Sequence, residues 1–317
     1  MVCLVTGAAG FIGSALARRL LDYGRRVIGI DCLTPYYDRS LKLANLAGLT
    51  SSKEFSFIEW DLAEMDIRPY LVGVDWVFHE AAQPGVRASW GDDFVLYVRH
   101  NVLATQRVLE AAKDSTIKRL IYASSSSVYG DSKELPLRET ALPKPISPYG
   151  VTKLAGEQLC HAYCRCYGVP CVSLRYFTVY GPGQRPDMAF NRFAKAALTG
   201  ESIVVHGDGE QTRDFTFVAD AVEGNLLAAT ASGVEGEVFN IGGGSRVTIN
   251  HVLEILQGLV ELPLNVRYVE HQKGDVQHTH SDTTAARAKL GYQPKVGLPD
   301  GLAAEVEWMK GLLGRNL

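Results

Sequence analysis

The chain has 317 residues, 46% of them hydrophobic and 21% charged, with no excess of Gly or Pro; that is room for about two domains, and it excludes a disulfide scaffold, a disordered chain, collagen and a coiled coil. Its 32 Lys and Arg against 35 Asp and Glu give a net charge of -3 without a long run of one sign, which speaks against a nucleic-acid partner. Apolar stretches break at Gly, Arg or Asp well short of the roughly 20 residues that span a bilayer, and the first residues lack the basic start of a signal peptide, so a cytoplasmic protein without a membrane partner is expected.

The segment VCLVTG opens the chain as a strand, IGSALARRLLDYG follows as an amphipathic helix, and RVIGID is a second strand. Further β-branched runs, FSFIEWDL, DWVFHEAA, RLIYASSS and VPCVSLRYF, alternate with helical stretches. Such alternation predicts an α/β fold, a Rossmann-type doubly wound parallel sheet covered by helices. Between the first strand and helix, Gly7-Ala8-Ala9-Gly10-Phe11-Ile12-Gly13 has the spacing GxxGxxG. Glycines there allow a tight turn and let a pyrophosphate approach the backbone N–H groups that open the helix. Asp31 ends the second strand near the offset at which an acid accepts the adenosine ribose hydroxyls, and it repels a 2′-phosphate, so NAD is favoured over NADP. Asp61 and Leu62 end the third strand and are placed to reach the adenine.

Farther along, Ser147-Pro148-Tyr149-Gly150-Val151-Thr152-Lys153 combines an N-cap residue with Pro at the first helical position, putting Tyr149 and Lys153 one turn apart on one face. A nearby ammonium stabilises a phenolate, which suits Tyr149 to general-base work. The upstream strand end, YASSSSVYG, offers hydroxyls at the carboxyl edge of the sheet, where doubly wound folds bind ligands. After Tyr176 the chain becomes irregular and rich in Pro and Gly, yet FTFVADAVEGNLLAA and VFNIGGG again read as helix and buried strand. The expected division is therefore interleaved: residues 1–175 with 217–242 form the dinucleotide-binding domain, and 176–216 with 243–317 form a smaller, C-terminal substrate domain. Cys3 and Cys32 read as small residues in or beside strands, and Cys160, Cys164, Cys166 and Cys171 match no zinc spacing. His278 and His280 alternate as on a strand face, so no metal is expected.

Taken in order, GxxGxxG, HEAAQ, YASSSSVYG, YGVTK, RYFTVYGP, GDGEQTRDF and GDV make a chain that resembles the extended short-chain dehydrogenase/reductases over essentially its whole length. Within them it is similar to the NAD-dependent nucleotide-sugar 4-epimerases, most of all to UDP-glucuronate 4-epimerases. The resemblance implies Ser125 as the catalytic hydroxyl, Tyr149 as the base and Lys153 as its lysine. It also implies that Arg213 binds the diphosphate, joined by Asn191 and Arg192, and that Asp275 takes the uridine ribose. Where many relatives carry Arg before GDV, this chain has His271-Gln272-Lys273, and Gln272 is closer to the glucuronate epimerases. Sugar 4,6-dehydratases carry Asp-Glu, and UDP-glucuronate decarboxylases Glu at the second position, where Ser126 and Ser127 stand here; loss of those acids argues against both reactions.

Oxidising C4 of a uronic acid places the carboxylate β to a ketone, an arrangement prone to lose CO2. An epimerase must hold that carboxylate so that its bond to C5 stays out of line with the carbonyl π system. Short neutral hydroxyls do this by hydrogen bonding without supplying a proton; Ser126, Ser127 and Thr178 are the candidates, and Arg185 adds charge complementarity. The expected function is C4 epimerisation of UDP-glucuronate to UDP-galacturonate. The alternatives are the same chemistry on UDP-glucose or UDP-N-acetylglucosamine and, in another class, a catalytically silent NAD-binding redox sensor. Helices beginning near Phe94 and Pro148, the latter with Ala155, Leu159, Ala162 and Cys166 on one stripe, are expected to pair two copies into a homodimer.

Overall fold

A computed structural model describes residues 1–64, 66–270 and 274–314. Seven parallel strands form the main sheet: β1 (Val2–Thr6), β2 (Arg26–Asp31), β3 (Phe55–Glu59), β4 (Trp76–His79), β5 (Arg119–Ser125), β6 (Cys171–Tyr176) and the strand Val238–Ile241. Their spatial order is 3-2-1-4-5-6 followed by Val238–Ile241 at the far edge, the doubly wound arrangement expected from the alternation of strand and helix. Strands β1, β4 and β5 are buried along nearly their whole length because helices cover both faces. Winding reverses between β1 and β4, whose ends Thr6 and His79 are in register. A cleft opens where the loops beyond these two strands part in opposite directions.

One face of the sheet packs on α1 (Phe11–Asp22), α2 (Arg39–Thr50) and the helix Val218–Thr230; the other packs on α4 (Ala104–Ala112) and α5 (Pro148–Tyr167). The sequence delimits α5 sharply: the Ser147 hydroxyl accepts the Gly150 N–H at 3.1 Å, Pro148 occupies the first turn, and Gly168 ends the helix at φ 71°. α3 (Phe94–Tyr97) runs through a π-helical turn, Val98–Leu103, directly into α4. A separate apolar cluster gathers Tyr180, Phe190, Phe193, Phe215, Val252 and Val306, drawing on segments on both sides of the strand Val238–Ile241. Tyr292 instead packs into the main core and donates its hydroxyl to Gly242 O.

Candidate active site

The Gly-rich turn depends on missing side chains. Gly7 has φ +69°, and a Cβ on it would lie 2.8 Å from Ala81 N; a Cβ on Gly13 would lie 2.2 Å from Gly7 O. Both contacts are with backbone, so the turn closes tightly only with glycine. The opening N–H groups of α1 are thereby brought to the cleft. At the tip of β2, Asp31 accepts Ala9 N–H at 3.1 Å and Leu33 N–H at 2.8 Å, which fixes its carboxylate at the cleft edge. Gly7, Gly10, Phe11, Ile12, Gly13, Asp31, Asp61, Leu62, Tyr149 and Lys153 all line one cavity of about 180 Å³. These residues fit NAD: a close backbone cradle for the pyrophosphate, an acid for the adenosine ribose, and the Tyr/Lys pair at the other end.

Arg99, which carried no signal in the sequence, donates to Asp61 at 2.9 Å. Burial raises the Asp61 pKa, but the Ala63 N–H and Arg99 outweigh it and hold the carboxyl below its usual value. Cys32, Asp61 and His100 converge here, and Arg99 supplies the cation that faces Asp61.

A second cavity, of about 520 Å³, is lined by Ser125, Ser126, Ser127, Thr178, Arg185, Arg192, Arg213 and Asp275, and Tyr149 lines both cavities. The sequence-derived candidates thus meet at a junction where a bound dinucleotide and a second ligand would touch. Ser125, at the end of β5, lines the sugar-side cavity together with Tyr149 and accepts Ser127 N–H at 3.1 Å. Burial raises the Tyr149 pKa, while Ser125 and Arg185 oppose the rise. The Lys153 Nζ sits 4.6 Å above the Tyr122 ring, and burial draws its pKa down to about 8.

Arg185 reaches the junction in a two-point pair with Asp187 at 3.0 Å. Asn191 departs from its expected place: its side-chain amide donates to Gln184 O at 2.7 Å, and its N–H is accepted by Gln184 Oε1 at 2.9 Å. Buried in that exchange, it braces the loop before its helix and does not line the sugar-side cavity. Gln272 lies outside the described residues. Arg87, unmarked in the sequence, lines the cavity and donates to Asp275 at 2.6 Å. Burial lowers the Arg213 pKa, Asp275 opposes this and Arg87 adds to it; an anion bound in the cavity that both arginines line would offset the burial and the repulsion. His278 hydrogen-bonds the Thr212 hydroxyl at 2.9 Å. All six cysteines are unpaired, with Cys3, Cys160 and Cys171 buried.

Comparison with known proteins adds identity to this geometry. Residues 3–242 match the NAD dependent epimerase/dehydratase family. The chain belongs to that family. It is 44% identical, over 98% of its own length and 99% of the other, to an uncharacterized UDP-glucose epimerase, YtcB, of Bacillus subtilis (strain 168). It is 37% identical, over 97% and 95%, to a UDP-glucuronate 4-epimerase of Thermodesulfobacterium geofontis (strain OPF15). Among solved structures, the UDP-glucuronic acid 4-epimerase of Bacillus cereus in complex with UDP-glucuronic acid and NAD superposes with a TM-score of 0.96 at 43% identity, covering 98% of this chain and 100% of that one.

Proposed function

We propose that this epimerase interconverts UDP-glucuronate and UDP-galacturonate through a transient 4-keto sugar, with NAD as its resident cofactor. The carrying observation is the set of hydroxyls beside Tyr149: Ser126, Ser127 and Thr178 line the sugar-side cavity, and none of the three hydroxyls has a hydrogen-bond partner among the described residues. They are available to a ligand carboxylate. Similarity to the Thermodesulfobacterium geofontis and Bacillus cereus epimerases supports the same substrate.

When bound, NAD supplies reversible hydride chemistry at C4. The chain's residues do the rest. Tyr149, as phenolate, takes the proton of the C4 hydroxyl and later returns it, with Ser125 hydrogen-bonded to the same oxygen and Lys153 contributing positive charge at the cofactor end. Arg87, Arg192 and Arg213 hold the diphosphate, and Asp275 holds the uridine ribose, so the nucleotide stays anchored while the sugar turns its other face. Ser126, Ser127 and Thr178 grip the carboxylate, assisted by Arg185, and keep the C5–carboxylate bond out of line with the ketone so that CO2 is retained.

The test is turnover of UDP-glucuronate, UDP-glucose and UDP-N-acetylglucosamine, read by NMR and mass spectrometry, with inversion of UDP-glucuronate expected. Preferential turnover of a neutral sugar moves the assignment to a hexose 4-epimerase; bound NAD with no turnover of any sugar favours the silent redox sensor.

Three coarser features complete the proposal. A homodimer is supported by apolar side chains left open on neighbouring helices, with Val95 66% and Val151 49% exposed and α3 packed against α5; a monomeric mass at micromolar concentration overturns it. The division into a dinucleotide part (1–175 and 217–242) and a sugar part (176–216 and 243–317) is supported by the separate apolar cluster of the latter, although Leu290 and Tyr292 pack on the former. A cytoplasmic location is supported by six unpaired thiols; among the described residues no helix is long and apolar enough to cross a membrane.

A further inference from the structure

The floor of the cofactor cavity holds an acid that the mechanism above does not use. Glu80 is the first residue beyond β4, and strand alternation sets it opposite His79. His79 is fully committed on the helix side, bonded to the Thr6 hydroxyl at 2.8 Å and the Thr105 hydroxyl at 2.9 Å. Glu80 lines the cavity together with Tyr149, Lys153, Ser124 and Tyr176. Its Oε1 accepts the Tyr176 hydroxyl at 2.8 Å, and Tyr176 in turn accepts Asn225 Nδ2 at 2.7 Å. This chain of donors runs from the helix Val218–Thr230 through the end of β6 to one carboxyl oxygen. A carboxyl held by an oriented donor and lacking an ion-pair partner among the described residues acts on charges nearby through the low-dielectric interior.

We propose that Glu80 is a positioning residue for the proton-transfer apparatus: anchored by Tyr176 and Asn225, its carboxylate keeps the Lys153 ammonium charged beside Tyr149. The groups facing Lys153 single it out. Tyr122 of β5 presents a ring face. His79 is buried and neutral, its pKa depressed to about 3 by burial and by Lys153 itself. Cys160 is a buried thiol on the same helix. Glu157, one turn along α5, is already bonded to Arg175 through both oxygens and to Ser124. That leaves Glu80, bonded to a neutral phenol, as the carboxyl without a cationic hydrogen-bond partner among the described residues. Burial lowers the Lys153 pKa, and Glu80 is the foremost group opposing it. Burial also raises Glu80 to about 7, with Tyr176, Lys153 and Asn225 pulling it down, so each charge of the pair supports the other.

The proposal rests on the roles given to Tyr149 and Lys153, and its test separates the two. Lys153 is titrated directly by the ¹³Cε shift of labelled lysine in the NAD-bound enzyme, assigned by the loss of that signal in Lys153→Met; no turnover is needed. Glu80→Gln, which keeps an acceptor for Tyr176, should lower the Lys153 midpoint by about one pH unit, the usual effect of removing one nearby opposite charge, and Glu80→Asp should restore most of it. The alkaline limb of kcat against pH should move by the same amount. Tyr176→Phe, which removes a donor to the carboxylate, should shift Lys153 in the same direction as Glu80→Gln and serves if that variant fails to fold. An unmoved Lys153 midpoint in whichever of these two variants folds, or an equal shift with Glu80→Asp, overturns the proposal even where the epimerase assignment stands. A shifted midpoint with no C4 inversion of any sugar overturns that assignment and leaves the charge pair intact.

Discussion

Thr178→Ala isolates one hydroxyl without disturbing the chain that carries it. Thr178 O accepts Thr216 N–H at 3.0 Å, so the backbone is held whatever the side chain, while the hydroxyl has no protein partner among the described residues. Removing it therefore leaves no orphaned protein donor or acceptor, and the cost falls on the ligand alone. A hydrogen bond to a charged group contributes about 1.5–3 kcal/mol, which corresponds to roughly a 10- to 150-fold fall in kcat/KM for UDP-glucuronate. Neutral UDP-glucose, which has no carboxylate to lose the bond, should be affected several-fold at most. A looser carboxylate also lets the C5 bond swing into line with the ketone, so part of the product should appear as a decarboxylated UDP-pentose or its 4-keto form. Initial rates on both sugars, with products resolved by mass spectrometry, provide the assay. Equal losses on charged and neutral sugars, with no CO2 released, would show that Thr178 merely shapes the cavity.

Other perturbations report on the frame around the site. Glu157 and Arg175 form an ion pair with side chains only 2% and 4% exposed, so Glu157→Gln should cost about 3–5 kcal/mol by stranding the guanidinium; an unchanged urea midpoint contradicts this. Gly13→Ala drives a Cβ to 2.2 Å from Gly7 O, and the required backbone shift of about 1–3 kcal/mol should lower NAD affinity about tenfold or more, read as the fraction of protein purified with cofactor. Burial raises the Glu305 pKa from 4.5 to about 8, with the Gly181 N–H opposing. The folded state therefore holds this proton more tightly, so the stabilisation is complete below about pH 4.5 and is lost as pH rises toward 8. Glu305→Gln should remove that slope; thermal melts that fall just as steeply between pH 5 and 8 refute the assignment.

The sheet was legible because its strands are continuous apolar runs and its turns are marked by residues with a single structural use. GxxGxxG identifies the strand-to-helix turn, and Ser147-Pro148 with Gly168 marks both ends of α5. The ten residues expected around the dinucleotide share one cavity for the same reason, since each sits at a strand end, in the turn just beyond one, or in the first turns of a helix; Asp61 and Leu62 lie past the third strand, which stops at Glu59. The departures come where a side chain is satisfied by a partner distant in sequence. Asn191 looked like a diphosphate ligand, yet it is consumed by Gln184, seven residues away across a loop. Arg87 meets Asp275 across 188 positions, and Arg99 meets Asp61 across 38; neither spacing leaves a periodic trace. Glu80 stood inside the recognised HEAAQ stretch, but its significance depends on Tyr176 and Asn225, which the fold brings from two other elements. Nor does spacing reveal solvation: Tyr149 and Lys153 are one turn apart, but burial moves both pKa values away from their charged forms.

The most direct test is the ¹H NMR spectrum of UDP-glucuronate incubated with the NAD-loaded protein and, in parallel, with Tyr149→Phe. The H4 couplings distinguish the two C4 configurations, and a pentose lacks the H5 pattern of both. The expected result is a growing UDP-galacturonate signal that reaches a constant ratio without UDP-pentose, and a Tyr149→Phe sample that binds sugar nucleotide and leaves it unchanged. Near-native conversion by Tyr149→Phe, or a native enzyme that yields UDP-pentose or leaves C4 of UDP-glucuronate untouched, would contradict it.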